Sequence, residues 1–99
     1  MILLQINFGF PTDQMGDALT QNARPLAESI NNEPGFISKI WIENPTTAES
    51  GGIYLFKDLE SATKYADMHS KRVEAMGARN IECKYFTVNE TLSKINKAL

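Results

Sequence analysis

The chain has 99 residues and one histidine, His69, the side chain best suited to moving a proton at neutral pH. An unperturbed imidazole titrates at about 6.5, so it needs no special tuning for that work. Tyr65 lies one helical turn earlier, close enough to line the same cleft if a helix carries both. The only thiol, Cys83, alternates with Ile81 and Tyr85 and reads as a core residue, not a nucleophile. No Ser-His-Asp or Cys-His pattern, phosphate loop or paired-carboxylate motif is present. With one His, one Cys and neither HxxxH nor CxxC spacing, no metal is expected. What remains is acid–base help in an apolar pocket, with His69 aiding loss of a proton and Phe8, Phe36 and Tyr65 as walls. Packing alone accounts for each of them equally well, as a satisfied core histidine and three core aromatics.

The elements that would position these residues follow from hydrophobic period. Residues 2 to 9 alternate, with Ile2, Leu4, Ile6 and Phe8 opposite Leu3, Gln5 and Asn7, as a strand with one buried face requires. From Met15 to Ile30, the residues Met15, Ala18, Leu19, Leu26 and Ile30 make one helical stripe, kinked near 21–24 by Pro25. Phe36 to Glu43 alternates again. A loop from Asn44 to Gly52 leads to a short strand, Ile53 to Phe56. Asp58 caps a second helix, Leu59 to about Met76, whose stripe holds Ala62, Tyr65, Ala66, His69, Val73 and Met76; Gly77 stops it. A last strand, Ile81 to Val88, and a short C-terminal helix complete the chain. The order is βαββαβ, an α+β ferredoxin-like fold with both helices on one face of an antiparallel sheet.

The totals agree with one domain spanning 1–99. Ten basic and twelve acidic residues give a net charge of -2, and the basic residues are scattered, so neither nucleic acid nor an anionic membrane is expected as a partner. A lone cysteine and an N-terminus that alternates like a strand point to a cytoplasmic protein.

If Ile6, Phe8, Ile40, Ile53 and Leu55 point at the helices, then Leu3, Gln5, Asn7, Ile37, Lys39, Trp41, Tyr54 and Phe56 point away. That second face is too apolar to leave in water. A second copy of the same sheet would cover it, which predicts a homodimer; on this assignment Trp41, Tyr54 and Asn7 lie at the interface. A bulge at Gly51-Gly52 would invert Tyr54 and Phe56. Single-stranded RNA stacked on Trp41, Tyr54 and Phe56 is a remote alternative that the acidic charge balance disfavours.

Four segments, Pro25-Leu26-Ala27-Glu28-Ser29-Ile30, Glu33-Pro34-Gly35-Phe36, Gly51-Gly52-Ile53-Tyr54-Leu55-Phe56 and Val88-Asn89-Glu90, resemble the YdhR-type family of small proteins assigned as monooxygenases. The resemblance covers nearly the whole chain. It implies a cytoplasmic homodimer with the dimeric α+β barrel fold, and oxygenation of a small aromatic, phenol- or quinol-like compound by O2. Better-understood members of the wider fold oxygenate polyphenols without metal, flavin or haem, so the resemblance implies no cofactor. In this setting His69 would be the catalytic residue, and Phe8, Phe36, Tyr65, Asn7, Trp41 and Tyr54 the substrate-binding set. Some haem-degrading relatives of the fold combine an Asn, a Trp and a His. Asn7 and His69 suit that set, but Trp41 in the second strand does not, so haem is not expected. A dimeric module that binds a small apolar ligand without turning it over is the competing reading.

Overall fold

The computed structural model describes residues 1–99. The alternating N-terminus forms strand β1 (Ile2–Gly9), with Leu4, Ile6 and Phe8 buried. A 3-10 turn at Thr12–Gln14 leads into the helical region, which is broken where a kink was expected. Helix α1 (Asp17–Asn22) ends at Ala23 and α2 (Arg24–Ile30) begins there, with Pro25 in its first turn. Proline lacks the N–H that a helix interior needs, and a first turn has no use for it.

Strands β2 (Phe36–Asn44) and β3 (Glu49–Phe56) form a hairpin. Its connection is shorter than the pattern suggested, because β3 begins at Glu49 and pairs through Gly51-Gly52. The Asn44 side chain closes the turn by accepting from the Thr46 and Thr47 N–H groups at 3.1 and 3.2 Å. Helix α3 (Leu59–Ala75) starts as expected, with Asp58 accepting the Ser61 N–H at 2.8 Å, and stops before Gly77 at φ +105°. Strand β4 (Arg79–Thr87) and the Asn89-capped helix α4 (Glu90–Ile95) complete the chain. The four strands lie in the order β2-β3-β1-β4, antiparallel throughout, the ferredoxin-like arrangement.

The phase of β2 and β3 is opposite to the one expected. Tyr54 pairs with Leu4 and Phe56 with Ile2, on the face toward the helices, and both aromatic rings are buried. Lys39 and Trp41 pair with Tyr54 and Gly52 and share that face, while Ile40, Ile53 and Leu55 look the other way. No bulge at Gly51-Gly52 causes this, since β1 and β3 pair without a shift from Ile2↔Phe56 to Gly9↔Glu49. Volume decides the phase. The space beneath α3 holds Tyr54, Phe56, Tyr65 and His69 as one ring cluster, with centroids 5.0 to 6.3 Å apart. Isoleucine and leucine in place of the two strand aromatics would leave that layer underfilled.

The open face carries Leu3, Ile40, Ile42, Ile53, Leu55 and Phe86, with Gln5, Asn7 and Lys84 among them. Ile40 is 64% and Phe86 51% exposed. Trp41, Tyr54 and Phe56 are absent from this face, so the aromatic platform on which RNA was to stack is not there. No helix is long and apolar enough to cross a membrane.

Gly51 sits where β3 is clasped between β1 and β2, and a Cβ there would run into the Ile6 carbonyl oxygen. Backbone on both sides leaves no room to shift. Gly51→Ala is therefore expected to cost more than about 2 kcal/mol, read as a lowered urea midpoint at unchanged m-value.

Candidate functional site

Between the sheet and the helices is a narrow cleft of about 20 Å³, room for about one water molecule. Its floor is Phe8 of β1, Lys39 and Trp41 of β2, and Ser50 and Tyr54 of β3. Leu19, Ala23 and Leu26 of α1 and α2 form one wall, and His69 and Val73 of α3 the other. The cleft opens past Leu19, Ala23 and Trp41 into a wider groove of about 370 Å³, bordered by Thr20, Arg24, Ala27 and Glu43. The break at Ala23 gives the first wall its bend, and the regular 17-residue α3 gives the second its rigidity.

His69 is 3% exposed and stacks on Tyr65, with centroids 5.0 Å apart and planes 20° apart. Its Nδ1 lies 3.0 Å from an Arg72 guanidinium nitrogen. Guanidinium nitrogens only donate, so Nδ1 accepts and the ring proton resides on Nε2. Nε2 has no hydrogen-bond partner in the protein. Burial, helped by Lys39 and Arg72, pushes the imidazole down from 6.5 to about 3. His69 is therefore neutral at pH 7, and the lone pair a base would use is already engaged. The same Arg72 nitrogen donates to the Tyr65 hydroxyl at 3.4 Å, and Arg72 Nε is buried with no acceptor.

Lys39 is half-buried, and its Nζ lies 3.3 Å from the Trp41 ring centroid and 4.6 Å from that of Tyr54. Gly52 makes this possible: a Cβ there would come within 2.8 Å of both the Lys39 Cε and the Tyr54 ring. Burial, then Arg72, pushes the amine down to about 7. Burial also raises the hydroxyls of Tyr54 and Tyr65, which stay protonated.

Of the residues singled out in the sequence, Phe8, Trp41, Tyr54 and His69 line the cleft, and Tyr65 backs His69. Trp41 and Tyr54 thus leave the interface assigned to them and join the pocket. Phe36 packs edge-to-face on Phe56, centroids 5.9 Å apart, away from the cleft. Asn7 lies on the open face beside Gln5 and Glu82. Cys83 is half-buried against the core, 3.5 Å from the Ser70 hydroxyl.

Sequence reasoning missed Lys39 and Arg72. Both were within reach of it: Arg72 comes three residues after His69 on one helix, and Lys39 is two residues from Trp41 on one strand face. Nowhere do three or more His, Cys, Asp or Glu side chains converge as for a metal.

Comparison with known proteins places the chain in a family. The family described as "Putative mono-oxygenase ydhR" matches residues 3–99, and the chain belongs to it. No curated protein matches the sequence. Among solved structures, the "putative antibiotic biosynthesis monooxygenase" of Deinococcus radiodurans superposes with TM-score 0.66 at 8% identity, over 90% of this chain and 93% of that one. The haem degrader MhuD of Mycobacterium tuberculosis gives TM-score 0.61 at 18% identity, over 88% and 95%. A variant of SnoaB, a cofactor-independent oxygenase of Streptomyces nogalater, gives 0.60 at 14%, over 89% and 92%. These likenesses establish a shared fold.

A histidine held neutral leaves a signature in stability. The unfolded chain binds a proton at His69 below pH 6.5, and the native state binds it only near 3. Stability from this group is thus complete above 6.5 and drains away as pH falls toward 3. Thermal unfolding across that window should show the parent losing on the order of 4 kcal/mol more than His69→Asn. Parallel pH profiles would show that His69 is not held neutral.

Proposed function

We propose that the protein is a monooxygenase that oxidises a small phenol- or enol-like compound with O2, the ring lying in the wider groove and its hydroxyl reaching into the narrow cleft between sheet and helices, and that it works as a homodimer. The observation that carries this reading is the cleft itself: an apolar slot, in a chain of a mono-oxygenase family, into which a neutral histidine and a lysine reach. The fold shared with SnoaB, described as a cofactor-independent oxygenase, supports it.

The chemistry asks little of the protein beyond shape and charge. A phenol or enol that loses its hydroxyl proton becomes electron-rich enough to pass one electron to O2. The radical and superoxide combine to a hydroperoxide, and loss of water leaves a quinone. In total, one phenol and one O2 give one quinone and one water. The protein must keep water out, hold the ring flat and favour the anion. Phe8, Trp41 and Tyr54 supply the apolar walls, and Tyr65 fixes the His69 ring by stacking. With Nδ1 held by Arg72, His69 offers Nε2–H as a hydrogen-bond donor to the developing oxyanion. This refines the role expected from sequence: His69 helps the proton leave by stabilising what remains.

The open face supports the dimer. Six large apolar side chains on one sheet surface exceed what a solitary subunit normally leaves in water, and a second copy offers the same flat aliphatic face in return.

Oxygen-electrode assays with phenols, hydroquinones and anthrones test the activity. At least one class should consume O2, and His69→Ala should lower kcat about 100-fold while leaving the fold intact. Uptake by none of them, with ligand-induced NMR shifts around His69 and the compound recovered unchanged, would make this a binding module instead. For the assembly, sedimentation velocity should show a dimer that Ile40→Asp converts to monomers; a monomeric parent would overturn the pairing.

A further inference from the structure

Oxygenation of a phenol or enol, the reading on which the role of Lys39 rests, leaves the substrate's own proton without an acceptor. His69 cannot take it while Arg72 occupies Nδ1. Tyr54 and Tyr65 are buried phenols held in their protonated form. No Asp or Glu lines the narrow part of the cleft. Glu43 stands at the mouth, where its carboxylate accepts the Gly16 N–H at 2.7 Å. One basic nitrogen in the cleft remains unassigned.

We propose that Lys39 is the proton acceptor: its amine, held over the Trp41 and Tyr54 rings, takes the hydroxyl proton of a bound phenol or enol and then, as an ammonium, pairs with the anion. In this step the substrate O–H bond breaks, an N–H bond forms at Nζ, and the electron pair stays on oxygen. O2 alone then oxidises the anion.

Three features of the geometry favour this. The amine is positioned, since the Trp41 centroid at 3.3 Å and the Tyr54 centroid at 4.6 Å fix it inside the cleft, in space that Gly52 leaves clear. It has no partner to consume it, because no carboxylate comes within salt-bridge distance of Lys39, whereas Lys64 and Arg24 both have one. Its surroundings lack negative charge: α3 presents His69, Tyr65 and Arg72, β3 presents Tyr54, and α1 and α2 present only Leu19, Ala23 and Leu26. The buried Arg72 Nε without an acceptor adds to that deficit. A site short of anions draws one from its ligand. Burial and Arg72 bring the amine to about 7, so free amine is available at neutral pH.

Two measurements on the full chain test the assignment. The first uses 4-nitrophenol, whose absorbance distinguishes phenol from phenolate without any turnover. Below the pH at which the free compound ionises, the parent should bind it with the phenolate band. Lys39→Met and Lys39→Gln, each checked for folding by circular dichroism, should bind it with the phenol band or not at all. A parent that binds no 4-nitrophenol at millimolar concentration, or variants that bind phenolate as the parent does, would overturn the proposal. The second uses any phenol that is turned over. Parent kcat/KM should rise with pH through about 7. Lys39→Met should lose that limb and about 100-fold in rate, with partial recovery on adding ethylamine. If the variant keeps the rate and the limb, Lys39 is not the acceptor and the oxygenase reading stands. If no phenol is oxidised but the phenolate band depends on Lys39, the oxygenase reading fails and the acceptor assignment stands.

Discussion

Removing a basic group from water costs free energy unless a carboxylate accompanies it, and this cleft takes in two basic side chains, Lys39 and His69, with Arg72 behind the second and no carboxylate in the lining. Lys39, His69 and Arg72 resolve the cost differently. The imidazole gives up its proton and becomes an acceptor for the guanidinium, which turns a repulsion between cations into a hydrogen bond. The lysine loses much of its charge and leans on two aromatic faces, which attract what charge is left. The Arg72 guanidinium donates to His69 and Tyr65 and keeps one buried N–H unsatisfied. The result is an interior with spare donors and no anion, which is costly when empty and favourable when an anion forms inside it. A site that generates a phenolate or enolate is the kind of site for which such a cost is worth carrying.

The backbone makes this arrangement possible at Gly51 and Gly52. Gly51 allows β3 to pass close to the Ile6 carbonyl, and Gly52 leaves the hollow that the Lys39 stem and the Tyr54 ring fill. Two adjacent glycines in a central strand would ordinarily weaken it. Here one serves sheet packing and the other clears the cleft floor, so the local loss is offset by what each permits. Tyr54 packs tilted against Tyr65, and Tyr65 stacks on His69, so the three rings join floor to wall.

Much of this was legible in the sequence, for reasons that particular residues make plain. Strand β1 was readable because Gln5 and Asn7 break its apolar side cleanly. Helix α3 was readable from the Asp58 cap, the Ala62-Tyr65-Ala66-His69-Val73 stripe and the Gly77 stop, and this placed His69 inward correctly. The phase of β2 and β3 was not readable. In Ile53-Tyr54-Leu55-Phe56 every residue is apolar, so period two has no contrast on which to work. In β2, Lys39 looks like a solvent residue and Ile40 like a core one, yet the lysine is drawn in by two aromatic rings and the isoleucine lies 64% exposed. That single inversion moved Trp41 and Tyr54 from the interface to the cleft and hid Lys39 from view. Pairing distances, not residue types, carry that information.

The inversion leaves the case for a dimer in place while changing its content. The pressure to pair comes from the apolar side chains of the open face, and exchanging the faces of β2 and β3 still leaves six large ones there. What changes is texture. An open face of Trp, Tyr and Phe could have received flat bases, whereas one of Ile, Leu and a single Phe86 offers methyl groups, which pack best against other methyl groups. The aromatics, meanwhile, face a cleft where flat rings and a lysine meet, and a conjugated acid fits such a place better than an aliphatic ligand does. A strand that is apolar on both faces must be covered on both. In β3 one cover comes from this chain's own helices, and the other face, with Ile53 and Leu55, is the one the proposed twin sheet would cover.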